Sequence, residues 1–297
     1  MNLSAANDHA SLPIAYRLYL PHEWSDDLDR RARAGIPDDI VFQTKPQIAL
    51  DQLRAAVGAE IDTGFVLADA GYGNDTDFRD GITQLGLLHA VGIQSPTTVR
   101  PPGIEPLPPK QWSGRGRPTS AIRHDGAHQP VSAKQLALDL PKKAWRRVTW
   151  REGTNTRLAS RFAAVRVRPA HRDYERSIPR AEEWCLIEWP SNEPEPTKYF
   201  LVILPAAMSR RALVKAIKPR LRIERDYQDL KQELGLGHYE GRGWRGFHPY
   251  ATLCIAAYGF LISERGAIPP SEPCNAVLIE EYPLPRRYRP RGSPNQT

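Results

Sequence analysis

The stretch Gly64-Phe65-Val66-Leu67-Ala68-Asp69-Ala70-Gly71-Tyr72-Gly73-Asn74 decides how the fold is read. Four apolar residues ending in a carboxylate predict a short buried strand. The carboxylate then sits at the carboxyl edge of a sheet, where ligands and metals gather in α/β folds. Glycines two and four residues later let the backbone turn sharply and leave room beside Asp69. A plainer reading is an aspartate accepting backbone hydrogen bonds in a turn. These eleven residues alone leave both readings open.

Upstream, the run Ile14-Ala15-Tyr16-Arg17-Leu18-Tyr19-Leu20, bounded by Pro13 and Pro21, reads as a strand. It is either an ordinary edge strand or part of a sheet whose earlier strands are missing. Residues 24–35 read as a surface helix ending at Gly35. Residues 46–57 place Ile48, Leu50, Leu53, Ala56 and Val57 at helical spacing, with Pro46 in the first turn. Downstream, residues 76–85 predict a helix and 87–93 a buried strand. Strand and helix therefore alternate over residues 14–93, which predicts an α/β sheet with helices on its faces.

The pattern changes at Ser95. A proline-rich stretch leads to the basic loop Gly114-Arg115-Gly116-Arg117-Pro118. Short β-like runs follow at 146–151, 162–168 and 184–189, a β-rich insertion far longer than a connecting loop. A strand over 199–204, a helix over 209–234 and an apolar helix over 248–264 complete the order. The expected division is residues 1–95 as the first part of a core, 96–197 as the proline-rich linker and insertion, 198–265 as the second part of the core, and 266–297 as a disordered tail. No internal repeat is present.

Among the 297 residues, Lys and Arg number 41 against 34 Asp and Glu, a net charge of +7 that favours a polyanionic partner. The 28 prolines exclude a mostly helical bundle. No apolar run reaches the ~18 residues of a membrane span, and residues 1–10 lack the pattern of a secretory signal. The three cysteines, Cys185, Cys254 and Cys274, form no CxxC pair, so no disulfide framework or zinc knuckle is suggested. These features describe a basic protein of a reducing, cytoplasmic environment.

Within the helix at 209–234, Arg220, Glu224, Tyr227 and Lys231 share one stripe at i, i+4, i+7 and i+11, while Ile223 and Leu230 belong to another face. An acid flanked by bases along a stripe can bind a metal while the bases hold phosphates. The same residues also suit a solvated face with ion pairs worth only ~0.3–0.5 kcal/mol each.

Taken in order, VLADAGYG, then R-x3-E-x6-K, then ELGLGHYEGRGWRGFH resemble the DDE transposases of bacterial insertion sequences, specifically the insertion-sequence-701-like group. The likeness runs from YRLYLP to about Arg265 and includes Phe42-x-Thr44-Lys45, the GRGRP loop and the EGRGW turn. It implies an RNase H-like fold: a mixed sheet flanked by helices, with a β-rich insertion before the glutamate helix.

The resemblance also assigns roles. Asp69 corresponds to the second catalytic aspartate and Glu224 to the catalytic glutamate, both as metal ligands. Arg220 and Lys231 match the arginine and lysine that hold DNA backbone, while Ile217 stands where the family has a tyrosine. Strand cleavage and transfer at phosphorus use two divalent cations ~3.5–4 Å apart, and carboxylates suit Mg²⁺ or Mn²⁺. Arg115 and Arg117 resemble minor-groove hooks, against a plain basic linker as the alternative. Arg242 is expected to meet DNA. Five of the seven tryptophans lie in or beside the insertion, most of them expected in its core, with one able to stack on an unpaired base. His248 is expected to cap or pack.

The family's first aspartate lies on the first strand of the fold, upstream of a segment resembling Asn2-Leu3-Ser4. No such residue precedes that segment here, so the sequence reads as an N-terminally truncated transposase, without its first strand or strands and unable to cleave DNA alone. The runner-up is a non-catalytic DNA-binding or dimerising remnant. A third reading is an unrelated nuclease that takes its missing carboxylate from Asp8 or Asp62. The implied partners are double-stranded DNA, at terminal inverted repeats and target sites, and a second copy in a paired-end complex. The implied location is the bacterial cytoplasm, at the nucleoid.

Overall fold

Apolar residues on both sides of the central strands force a layer of helices onto each face of one sheet. The computed structural model describes residues 1–7, 10–61, 64–117, 120–152, 156–218, 220–241 and 243–267, apart from the side chains of 151, 152, 156, 157, 175, 220–222, 224–226 and 267. The first part of the chain forms β1 (Asn2–Ala6), β2 (Ser11–Tyr16), α1 (His22–Ser25), α2 (Leu28–Ala34), α3 (Lys45–Gly58), β3 (Phe65–Ala68), α4 (Ala70–Gly73), α5 (Thr76–Gln84) and β4 (Leu88–Ile93). Next come β5 (Thr98–Arg100), β6 (Val131–Ser132), α6 (Ala133–Asp139), β7 (Arg146–Glu152), β8 (Thr156–Pro169), β9 (Glu183–Trp189) and β10 (Lys198–Ile203). Last are α7 (Arg210–Ile217), α8 (Arg220–Gln232) and α9 (Trp244–Ala267).

The main sheet has the order β3-β4-β10-β9-β8-β5-β6, with β7 also paired to β8. β3 and β4 run parallel, with Phe65 opposite Leu88 and Ala68 opposite Val91. The other pairings are antiparallel. β1 and β2 form a separate antiparallel hairpin. This is the expected α/β class: a mixed, mostly antiparallel sheet flanked by helices, consistent with an RNase H-like DDE fold.

The two-residue side-chain period divides the core cleanly. Val91, Leu201, Cys185 and Ile187 face Leu53 of α3, Phe78 and Ile82 of α5 and Leu136 of α6. Ala90, Phe200, Val202 and Leu186 face Leu213, Val214 and Ile217 of α7. α3 starts as its sequence dictates: Thr44 and Gln47 form a capping box, with a proline in the first turn. Of the tryptophans in the insertion, Trp145 and Trp189 meet edge to face and Trp150 packs on Phe162, whereas Trp112 is exposed.

Several expectations are corrected. The helix over 209–234 is two helices, α7 ending at Ile217 and α8 starting at Arg220; position 219, a proline in the sequence, lies outside the described residues. A proline inside a helix lacks the N–H its turn needs and clashes with the carbonyl four residues back. The last helix begins at Trp244, ahead of the expected 248, and carries Pro249 inside it. The first strand pair lies at 2–6 and 11–16; Leu18 and Leu20 instead leave the hairpin and pack with Ile36 and Trp244. The tail at 268–297, like Asp8 and Asp62, lies outside the described residues.

Under β5 lies a closed set of charges. Arg100, fully buried, donates from Nη2 and Nε to Asp173 Oδ2 at 2.9 and 3.2 Å. Arg180 donates from Nη2 to Asp80 Oδ2 at 2.9 Å, and its Nη1 lies 3.6 Å from Asp173 Oδ1. Arg176 also reaches Asp80, at 3.2 Å. These bonds lock α5 and β5 to the segment between β8 and β9. No helix among the described residues is long and apolar enough to cross a membrane.

Candidate functional site

At the carboxyl end of β3 the chain turns directly into α4, and Asp69 occupies the N-cap. Its Oδ1 accepts from the backbone N–H of Gly71 at 2.8 Å and of Tyr72 at 3.3 Å. The plain turn reading of Asp69 is therefore correct in geometry. It does not exhaust the residue: the side chain is half-exposed, and no described donor bonds Oδ2. Two glycines allow this turn to press on β4. A Cβ at Gly73 would stand 2.0 Å from the Gly92 carbonyl oxygen, and one at Gly92 would stand 3.0 Å from the Ala70 nitrogen. The contact at Gly73 is too short for any larger side chain and that at Gly92 is tight, so the turn bearing Asp69 packs closely on the sheet edge.

Tyr72, one turn into α4, reports what lies beside this carboxylate. Burial raises its phenol above the ordinary tyrosine value, and the negative charges of Asp69 and Tyr227 raise it further. Tyr227 belongs to α8, so that residue of the helix lies within electrostatic reach of the Asp69 turn. Leu230 anchors α8 against Cys254 and Tyr258 of α9, with Leu12 of β2 packed alongside. Arg220 and Glu224 lie on the backbone of α8, with Glu224 three residues before Tyr227; their side chains lie outside the described residues. Arg242 also lies outside them. Ile217, where the resemblance implies a DNA-contacting tyrosine, ends α7 and is buried in the core beneath the sheet.

Around the Met1 amino group stand two lysines that form no ion pair with a described acid. Lys231 Nζ sits 4.4 Å above the Tyr227 ring and Lys45 Nζ 5.2 Å above the Tyr19 ring, both cation–π distances. Burial, then the charges of Lys45 and Lys231, lower the Met1 amino group below its ordinary value, which puts both lysines in one neighbourhood. Sequence reasoning singled out Lys231 but missed Lys45 and Tyr72. The signal for Lys45 was its place in the Phe42-x-Thr44-Lys45 segment, at the first turn of α3, where a lysine opposes the helix dipole and gains nothing locally.

Arg115 and Arg117 are exposed on the loop between β5 and β6. That loop is pinned by Trp112 Nε1 donating to the Gly116 carbonyl at 3.0 Å and by a bridge between Leu107 and Arg123. Among the described residues no hydrogen bond or ion pair ties it to the Asp69 turn. His248 is a packing residue, with Nδ1 2.8 Å from the Trp244 carbonyl and its ring tilted against that of Trp244.

A pair of divalent cations needs three or more hard donors around it. Among the described residues no group of three His, Cys, Asp or Glu could hold a metal. Asp69 is one carboxylate, and the described donors by themselves do not fit a two-ion centre.

Comparison with known proteins bears on the half of the chain that contains Asp69. A family model described as DDE superfamily endonuclease matches residues 1–157, more than half of the 297. The match spans Asp69 and the loop carrying Arg115 and Arg117 and stops before α8. Enzymes of that superfamily typically use divalent metals. No curated protein matches the sequence.

Proposed function

The chain belongs to the DDE superfamily of endonucleases, and from that premise we propose that it is a transposase of the insertion-sequence-701-like group, acting on double-stranded DNA at terminal inverted repeats. The observation that carries this reading is Asp69 itself. A half-exposed carboxylate ends a strand that is parallel to its neighbour, inside the region matched to the family, with α8 alongside. In this reading Asp69 and Glu224 supply two carboxylates toward Mg²⁺ or Mn²⁺. Arg220 and Lys231 grip the backbone of the DNA, with Arg115, Arg117 and Arg242 making further contacts. Residues 1–95 and 198–265 form the core and 96–197 the insertion; the position of β10 between β4 and β9 supports joining the two core parts. The protein works at the nucleoid in the cytoplasm, as two copies on paired ends.

We further propose that this chain does not cleave DNA unaided. The support is the donor set: one aspartate and one glutamate are fewer than a two-ion centre requires, and no third ligand joins Asp69 among the described residues. The same observation favours the second reading, a DNA-binding or dimerising remnant that interferes with an intact copy. The test is incubation of the purified chain with a duplex carrying an inverted repeat, in Mg²⁺ or Mn²⁺. The expected result is salt-dependent binding without nicking. Nicking that Asp69→Ala abolishes would overturn the inactivity while keeping the family chemistry; no binding at low salt would overturn both readings.

A further inference from the structure

α9 is predominantly apolar, and among the described residues only half of it is covered. One face, through Ala251, Cys254 and Tyr258, is buried against α8 and β2. The opposite face carries Pro249, Leu253, Ala256, Ala257 and Phe260, all exposed, with Leu253 at 70% and Phe260 at 64%. These positions recur at the three- and four-residue spacing of a packing stripe. No Asp, Glu, Lys or Arg occurs from residue 246 to 263, and the stripe is bounded by Arg245 at one end and Glu264 at the other. A helix apolar on every side is normally buried on every side.

We propose that this face of α9 is a two-fold interface, and that its occupant is α9 of a second copy of this chain, lying antiparallel. The stripe is complementary to itself in that arrangement. With the two-fold axis passing between Cys254 and Ile255, Arg245 of one copy meets Glu264 of the other, Pro249 meets Phe260, and Leu253 meets Ala256. Each pairing occurs twice, as an isologous contact demands. Large residues fall opposite small or flat ones, and each unlike-charge pair closes one end of an apolar seam. A parallel pairing would instead set Arg245 against Arg245 and Glu264 against Glu264. The surface serves the paired action proposed above and rests on that reading for its purpose. Its association is measured without DNA or metal, so failure here is distinguishable from failure of the DNA chemistry.

The experiment is sedimentation of the full chain with a set of charge and apolar variants, each checked for native folding by circular dichroism and melting. The wild type is expected to dimerise and Phe260→Glu to be monomeric. Arg245→Glu and Glu264→Arg should each raise the dimer Kd by roughly tenfold, while the double exchange, which restores unlike charges across the two-fold, should return it to near the wild-type value. The exchange keeps the test decisive if Phe260→Glu fails to fold. Dimers in folded Phe260→Glu, a double exchange weaker than either single variant, or a monomeric wild type with the stripe covered within its own chain would each overturn the proposal.

Discussion

Beneath β5 the charges of Arg100, Asp173, Arg180 and Asp80 close on one another, whereas around the Met1 amino group Lys45 and Lys231 lie on tyrosine rings and no described acid pairs with them. Both regions sit next to strand ends and both are rich in charge. In the first, buried Arg100, Asp173 and Arg180 pair with one another and with the partly exposed Asp80, and pairing is the condition for a buried ion to be tolerated. In the second, among the described residues, the exposed lysines meet aromatic faces, which steer their charge without cancelling it. Self-closing charge belongs to architecture, and charge left open belongs to a partner.

The contrast can be broken most forcefully at the closed cluster. Arg100→Met leaves Asp173 buried with half its partners lost, and removing one member of a buried pair costs about 3–5 kcal/mol. Chemical denaturation should record that loss, while DNA binding by the folded fraction stays at the wild-type level. A binding defect larger than the folding defect would mean the two clusters are not separate in role.

A smaller effect is expected at the turn. Gly73→Ala drives a methyl into the Gly92 carbonyl, and relief by a backbone shift costs about 1–3 kcal/mol. It should also displace Asp69, whereas Arg100→Met should not. Smaller again is Asp69→Asn, which keeps an N-cap acceptor and removes the charge. Tyr72 titrates above the ordinary tyrosine value, mainly through burial and next through Asp69, so this variant should lower its pKa without returning it to normal. The sign for stability follows: a phenol whose folded pKa is raised contributes stability below the unfolded value near 10, lost as the pH rises through the folded value. Asp69→Asn should therefore lessen the alkaline loss of stability, as read by melting across that range. An unmoved Tyr72 titration would separate Asp69 from the tyrosine pair.

Much of this arrangement was legible in the sequence because its signals are local. Phe65 to Ala68 announce a strand, although its residues are half-buried and not buried as their apolar run predicts, and Thr44, Gln47 and Pro46 mark the start of α3 with side chains only three residues apart. The stripe containing Tyr227 and Lys231 follows from helical spacing alone. The closed cluster was invisible for the opposite reason: Arg100 and Asp173 are 73 residues apart, and Arg180 and Asp80 are 100 apart. Nothing local marks those arginines as different from the exposed ones. The division at position 219 was missed because apolar periodicity continues through Leu213, Val214 and Ile217 into Ile223 and Leu230, masking a proline that periodicity does not weigh. Lys45 and Tyr72 came to light only when α3, α4 and α8 were brought to one corner.

In the proposed function the surface carrying Lys45 and Lys231 faces DNA. The direct measurement is the salt dependence of duplex binding for the wild type and for Lys45→Ala/Lys231→Ala, with stability followed in parallel. Two phosphate contacts contribute about 2 to the slope of log K against log salt, and both lysines are on the surface, so folding should change by about 0.5 kcal/mol or less. With both lysines on phosphates, the double variant binds more weakly, with a slope reduced by about 2, at unchanged stability. An unchanged slope and affinity in the doubly substituted, fully folded protein would contradict it.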